Sequence, residues 1–231
     1  MSRHLLYLAV LLVLSACGSP TSADGGGSMQ SNLDKATTDL NSNPSQWSLF
    51  YSTGSTLTLN SLGQPAITFP TNSRDSVNML TTAWTGSSVG RTLYLTIQMN
   101  ASPSTVFNLA QGPEPTCNTP PSVRPYMQAN GWESGPRDDT SMRWWSRQGF
   151  VPLVTAGTFS IAVPLTPDRW GGVSGQLANS SDVALRWFEW IVQAVQPSRL
   201  GLVFGGGCSY GHGLYVSGGS ATLTVTQFET K

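Results

Sequence analysis

Lysine is nearly absent from this chain. Lys35 and Lys231 are the two present, and charged residues of both signs make up 10% of the 231 positions, with a formal net charge of zero. No basic stripe is available to neutralise phosphates, which argues against a nucleic-acid partner. Histidine is as scarce, at two residues, and His212 is the one that remains once the first residues are read as a leader. Three cysteines are too few for a disulfide scaffold. The longest apolar run, Leu5 to Leu14, falls short of the roughly 20 residues a spanning helix requires. No internal repeat is detectable. What is plentiful is Gly, Ser, Thr and Asn, together with eight tryptophans. Low charge in that setting is usual for an extracytoplasmic β protein.

The chain opens Met-Ser-Arg-His before its apolar run, a charged segment followed by a secretory core. The run ends in Leu14-Ser15-Ala16-Cys17, which resembles the bacterial lipoprotein signal. That resemblance implies cleavage after residue 16 and lipid, palmitate included, on Cys17. Several acyl chains at one point, each buried CH₂ contributing about 0.8 kcal/mol, would hold the chain on a membrane without a spanning helix. The alternative is an ordinary cleaved signal peptide with an incidental cysteine. Gly18 stands where enteric lipoproteins retained at the inner membrane carry aspartate, so the resemblance points to the outer membrane of a bacterial envelope. Residues 17–45 are rich in Gly, Ser, Thr, Asp and Asn and read as a flexible tether, with a short helix over Leu33 to Leu40 as a weaker feature. The body is expected over residues 46–231.

With Cys17 assigned to lipid, Cys117 and Cys208 form an even pair in an oxidising compartment, and a disulfide between them is expected. Closing so long a loop is worth roughly 4 to 5 kcal/mol in the chain-entropy view. Two separate buried thiols remain the alternative, because spacing alone does not bring Cα atoms together.

From Trp47 onward, short runs of period two alternate with turn residues: Trp47 to Tyr51, Thr56 to Leu59, Ala66 to Phe69, Val77 to Trp84, Thr92 to Met99 and Val106 to Leu109. Leu93, Leu95, Ile97 and Met99 alternate with Tyr94, Thr96 and Gln98 and mark a strand buried on one face. Between Gln111 and Arg137 six prolines interrupt the pattern, and the segment reads as a long loop carrying Tyr126, Trp132 and Glu133. Strands resume at Met142 to Ser146 and Thr158 to Leu165. Asp182 to Val195 is the one convincing helix, capped by Ser180 or Ser181 and stopped before Pro197, with Leu185, Phe188 and Val192 or Ile191 on its inner face. Glycine-separated strands close the chain, and Leu223, Val225 and Phe228 face one way while Thr222, Thr224 and Thr226 face the other. The fold class is all-β, an antiparallel β-sandwich of jelly-roll type with one late helix. At the level of pattern this order resembles galactose-binding-like domains and carbohydrate-binding modules.

Gly207-Cys208-Ser209-Tyr210-Gly211 matches a nucleophile elbow, but such an elbow passes from strand into helix, and here a strand-like run follows. A glycine turn is the better reading. Cys208 and His212 are too few for a transition-metal site. Jelly-roll modules often hold calcium, and Glu133, Asp138, Asp139 and Asp168 supply suitable hard oxygens without a calcium-loop signature, so a structural calcium is carried by the resemblance alone. The same carboxylates would have to face each other across a cleft for glycosidase or lyase chemistry.

The aromatics are more informative. Trp144 and Trp145 are adjacent in a strand and must point to opposite faces. Trp47, Trp84, Trp187 and Trp190 read as core. Trp132, Tyr126, Trp170 and Tyr210 in loop-like segments beside Arg137, Arg143, Arg169 and carboxylates have the composition of a sugar platform, and the expected contacts are stacking on Trp132, Trp145 or Trp170 with hydrogen bonds from Arg143, Asp168 and Gln176. A membrane-anchored glycan-binding module is the leading expectation, binding rather than catalysing. The alternatives are an envelope module that docks on another protein, and a glycoside hydrolase or lyase.

Overall fold

The structure, a computed structural model, describes residues 38–39, 47–84, 86–112, 119–129, 142–193, 198–206 and 209–231. Thr37–Lys231 forms one compact unit. Its strands are β1 (Thr38–Asp39), β2 (Ser48–Phe50), β3 (Thr56–Leu59), β4 (Pro65–Thr68), β5 (Met79–Trp84), β6 (Thr92–Ala101), β7 (Val106–Leu109), β8 (Ser122–Ala129), β9 (Arg143–Ser146), β10 (Val151–Pro152), β11 (Gly157–Pro164), β12 (Trp170–Gly172), β13 (Ser198–Gly206), β14 (Ser209–Tyr210), β15 (Leu214–Ser217) and β16 (Ala221–Thr230). Helix α1 spans Asp182–Val192. Among the described residues no helix is long and apolar enough to cross a membrane.

Two antiparallel sheets form a sandwich. The first has the order β11-β6-β16-β4-β3, with β1 also on β16; the second has the order β12-β9-β8-β13-β5-β2, with β10 on β8 and β14 on β13. A separate ribbon joins β15 to β7. The chain passes repeatedly between the sheets, β5 to β6, β6 to β8 and β13 to β16, the alternation of a jelly roll. Period-two patterning is the cause. Leu93, Leu95, Ile97 and Met99 of β6 are buried, and they join Leu80, Val123, Met127, Leu200, Leu202 and Phe204 of the second sheet in one apolar cluster. Each such side chain contributes about 1.5 to 3 kcal/mol when fully buried.

Strand β16 shows how one residue corrects a pattern. Strict alternation from Leu223 and Val225 would turn Phe228 away from the core. A β-bulge shifts the register between Val225 and Gln227, so Phe228 returns inward and is fully buried. Helix α1 ends three residues before the expected boundary, and the Ser181 hydroxyl caps it by accepting from the Ala184 amide at 3.1 Å. Ala184, Phe188, Ile191 and Val192 form its buried face, while Leu185 is half-buried.

Two sequence expectations are corrected. Residues 111–137 do not form one long loop: β8 lies inside the segment, every one of its residues is buried, and it pairs with β13 on one side and β9 on the other. Pro125 lies opposite Leu202 in the β8–β13 pairing, while the β8–β9 pairing covers Tyr126 to Gln128 and does not include it. Thr38 and Asp39, expected in a tether or a short helix, pair as a strand with Thr230 and Glu229.

Candidate functional site

Alternation on the second sheet sends one set of side chains into the sandwich and the other outward. Trp144 points inward and is fully buried, so its neighbours Arg143 and Trp145 point outward. The same rule places Arg124, Tyr126 and Gln128 of β8, Arg199 and Val203 of β13, Met79 and Thr81 of β5, and Ser48 and Phe50 of β2 on the outer side. Register then sets their rows. Trp145 lies opposite Tyr126, which lies opposite Gly201, which lies opposite Thr81. In the next row Arg143 lies opposite Gln128 and Gln128 opposite Arg199.

The centre of this face is a closed floor. Met79, Tyr126 and Val203 make a small buried apolar cluster, with Phe50 and Trp145 packed against it. The Tyr126 hydroxyl donates to the Gln128 side-chain oxygen at 2.7 Å, so both polar tips are held in place. Around that floor stand half-buried groups: Trp145 and Tyr210, which meet edge to face with centroids 5.8 Å apart, and Phe50, whose ring lies 4.4 Å from the Arg199 guanidinium. Rings of this kind, with one side packed and another reachable, suit the C–H face of a flat ligand.

Arg124 has an unusual setting. It is 3% exposed, and its guanidinium lies 4.0 Å from the Tyr210 ring centre and 4.2 Å from that of Phe150. One terminal nitrogen donates to the carbonyls of Ser146 and Arg147, both at 3.1 Å. Burial pushes its pKa below the ordinary value for arginine, and the neighbouring Tyr210 acts in the opposite direction. Among the described residues, its Nε and the buried Thr81 hydroxyl have no hydrogen-bond partner.

The residues expected to bind ligand separate in the structure. Arg143 and Trp145 share the outward face. Trp170 does not: it is fully buried in β12, and its indole nitrogen donates to the Pro164 carbonyl at 3.0 Å, so it is part of the core rather than a platform. The reason is register, since Trp170 pairs with inward-facing positions while Gly171 takes the place opposite Trp145. Asp168 is exposed in the turn before β12, taken up by the Thr166 hydroxyl at 2.6 Å and by Arg169 at 3.1 Å. Gln176 serves the turn after β12, its side chain accepting from the Ser174 amide at 2.9 Å. Trp132, Cys17, Cys117, Cys208, Glu133, Asp138 and Asp139 lie outside the described residues. Tyr126, expected in a loop, is a fully buried strand residue.

Of the remaining tryptophans, Trp47 and Trp84 are core as expected, while Trp187 and Trp190 are half-buried in an edge-to-face pair. Among the described residues no group of three or more His, Cys, Asp or Glu could hold a metal ion. After β14 the chain enters a turn at Gly211 and then β15, so no helix follows Ser209. His212 is hydrogen-bonded to Gln111.

Sequence reasoning missed Phe50, Arg124, Gln128 and Arg199. The alternation Arg124, Tyr126, Gln128 was a usable signal, masked by the prolines around it. No local signal marks Arg199 or Phe50, because the outward side of a strand is defined by what covers the inward side.

The outward side of the first sheet differs. Thr96 donates to Gln227 and is hydrogen-bonded to Ser160, each at 2.9 Å, and Lys231 pairs with Glu229 and lies 5.6 Å from the Tyr94 ring centre. No protein-family model matches this chain, and no curated protein matches it significantly. Among solved structures it is similar to a xylan-binding module, CBM15, at 12% identity over 83% of this chain and 95% of that one, with a TM-score of 0.38. It is similar also to a CBM4 structure, at 10% identity over 83% and 91%, with a TM-score of 0.31. Likenesses this distant leave the ligand open.

Proposed function

We propose that this chain is a glycan-binding module held on a bacterial envelope membrane through lipid on Cys17. The single observation that carries the binding reading is the contrast between the two outward faces. One carries hydrogen-bonded Thr, Ser and Gln groups, with Tyr94 and Glu229 both engaged by Lys231; the other combines half-buried Trp145, Tyr210 and Phe50 with Arg143 and Arg199 over the hydrogen-bonded Tyr126–Gln128 floor. Aromatic rings take the C–H faces of sugars, and the arginines supply donors to hydroxyls. A rigid sheet presents such groups without ordering entropy at the moment of binding.

The test is a glycan array probed with the purified full chain, with calcium present and absent. Binding that is lost in Trp145→Ala supports the reading. A folded sample that retains no glycan overturns it and redirects the search to an envelope protein partner. The anchor is tested separately: Cys17→Ser is expected to abolish palmitate labelling and membrane retention, and unchanged labelling would exclude it.

A further inference from the structure

Among the described residues, the outward positions of the second sheet carry positive charge and no negative charge. Its outward positions include Arg124, Arg143 and Arg199 on three adjacent strands, and none of the outward positions on β2, β5, β8, β9 and β13 is an aspartate or glutamate. The whole chain has a net charge of zero, so the arginines on these strands do not reflect an overall basic excess. The described acidic side chains lie elsewhere: Asp75 in the loop before β5, Asp168 in the turn before β12, Asp182 and Glu189 on α1, and Glu229 on the first sheet. Two of them, Asp168 and Glu229, are already paired, with Arg169 and Lys231.

Neither Arg124 nor Arg199 has a carboxylate partner among the described residues. Among the described residues, the buried Arg124 cation is met by two rings and two carbonyls. A charge in that setting is weakly screened, so its field reaches the surface above it. Arg199 is half-buried, its guanidinium 4.4 Å from the Phe50 ring centre, and among the described residues its one side-chain hydrogen bond is a long contact of 3.4 Å to the Ser48 hydroxyl. A guanidinium has five N–H donors in a fork that fits a carboxylate with two parallel bonds, so Arg199 keeps most of its donor capacity for a ligand. The stacking rings Trp145 and Tyr210 stand on the same face.

Resting on the glycan reading above, we infer that the ligand is an acidic polysaccharide, whose anionic sugar units are received by Arg199 within the field of Arg124 while neighbouring units lie on the aromatic groups. A neutral glycan would leave the Arg199 guanidinium without a carboxylate partner among the described residues. Anionic chains would also be drawn to this face over a distance that shortens as salt rises.

The experiment compares the purified full chain binding three probes by calorimetry: polygalacturonate, the same polymer with its carboxyls reduced to alcohols, and dextran sulfate. Polygalacturonate is expected to bind roughly tenfold or more tightly than its reduced form, with the advantage shrinking at high salt. Arg199→Gln is expected to bring that ratio close to one, while Arg199→Lys, a point charge without the fork, keeps part of it. A structural role for Arg199 would lower stability and leave the ratio unchanged. Preference for dextran sulfate alone places the anion on sulfate and supports the acidic class. Equal binding of the acidic and reduced polymers with no preference for dextran sulfate, or a preference for an acidic polymer that is unaltered in Arg199→Gln, overturns the inference and leaves the glycan reading standing. Binding to no glycan, acidic or neutral, overturns the glycan reading and this inference with it.

Discussion

Arg124 and Tyr210 are locked together, the guanidinium 4.0 Å from the ring centre, and this contact ties the short β14 strand to the middle of the second sheet. Phe150 closes the other side at 4.2 Å. Arg124→Met keeps much of the volume but leaves the Ser146 and Arg147 carbonyls without their donor. A loss of about 2 to 4 kcal/mol in urea unfolding is expected. Arg124→Lys is expected to recover little of it, because an ammonium lacks the flat surface between two rings.

Trp144 and Trp145 offer a paired test of which side is core. Trp144→Ala empties a fully buried site and should lower stability by about 3 to 5 kcal/mol. Trp145→Ala removes a half-buried ring from the outward face and should cost less than half as much while abolishing glycan retention. Denaturation curves and binding isotherms on the two variants decide it; the reverse ranking would place the ligand face elsewhere.

Gly201 has no room for a side chain. A Cβ there would lie 2.1 Å from the Leu80 carbonyl oxygen and 2.7 Å from the Thr81 Cα, both backbone atoms that cannot swing aside. Gly201→Ala should therefore force β13 and β5 apart and destabilise by about 2 kcal/mol or more, with reduced ligand binding through displaced Arg199. A variant as stable as the parent would contradict the close approach.

Acid should loosen the end of β16. Desolvation acts to raise the pKa of Glu229, but hydrogen bonds from Lys231 and Gln227 and the charge of Lys231, whose ammonium is 2.6 Å away, outweigh it and hold the carboxyl below its ordinary value of 4.5. A carboxylate depressed in the native state contributes stability that is fully present above the ordinary value and is lost as pH falls below it. The melting temperature of the parent is expected to exceed that of Glu229→Gln above about pH 5, with the gap closing as pH falls toward about 3. A gap that stays constant over that range would show that Glu229 does not titrate differently on folding.

Much of the architecture was legible in local pattern. Period-two runs marked β3, β6, β7 and β16, the Ser181 cap and following apolar spacing marked α1, and adjacency alone placed Trp144 and Trp145 on opposite sides. These features depend on residues within one strand or one helical turn, where backbone geometry dictates side-chain direction. The prolines around β8 concealed a central strand because a missing N–H is harmless or harmful according to which neighbour lies beside it.

The ligand face lies beyond that reach. Alternation states that neighbours diverge, but the inward side is chosen by which sheet packs against which, and so Trp170 entered the core while Trp145 stayed out. Arg199 meets Phe50, and Arg124 meets Tyr210, through registers between strands far apart in the chain. Composition and alternation determined a low-charge antiparallel sandwich with one late helix. Only the pairing of β2, β5, β13, β8 and β9 decided that arginines and aromatic rings gather on one face, because cross-strand register is settled by the packing of the whole core and by no single segment.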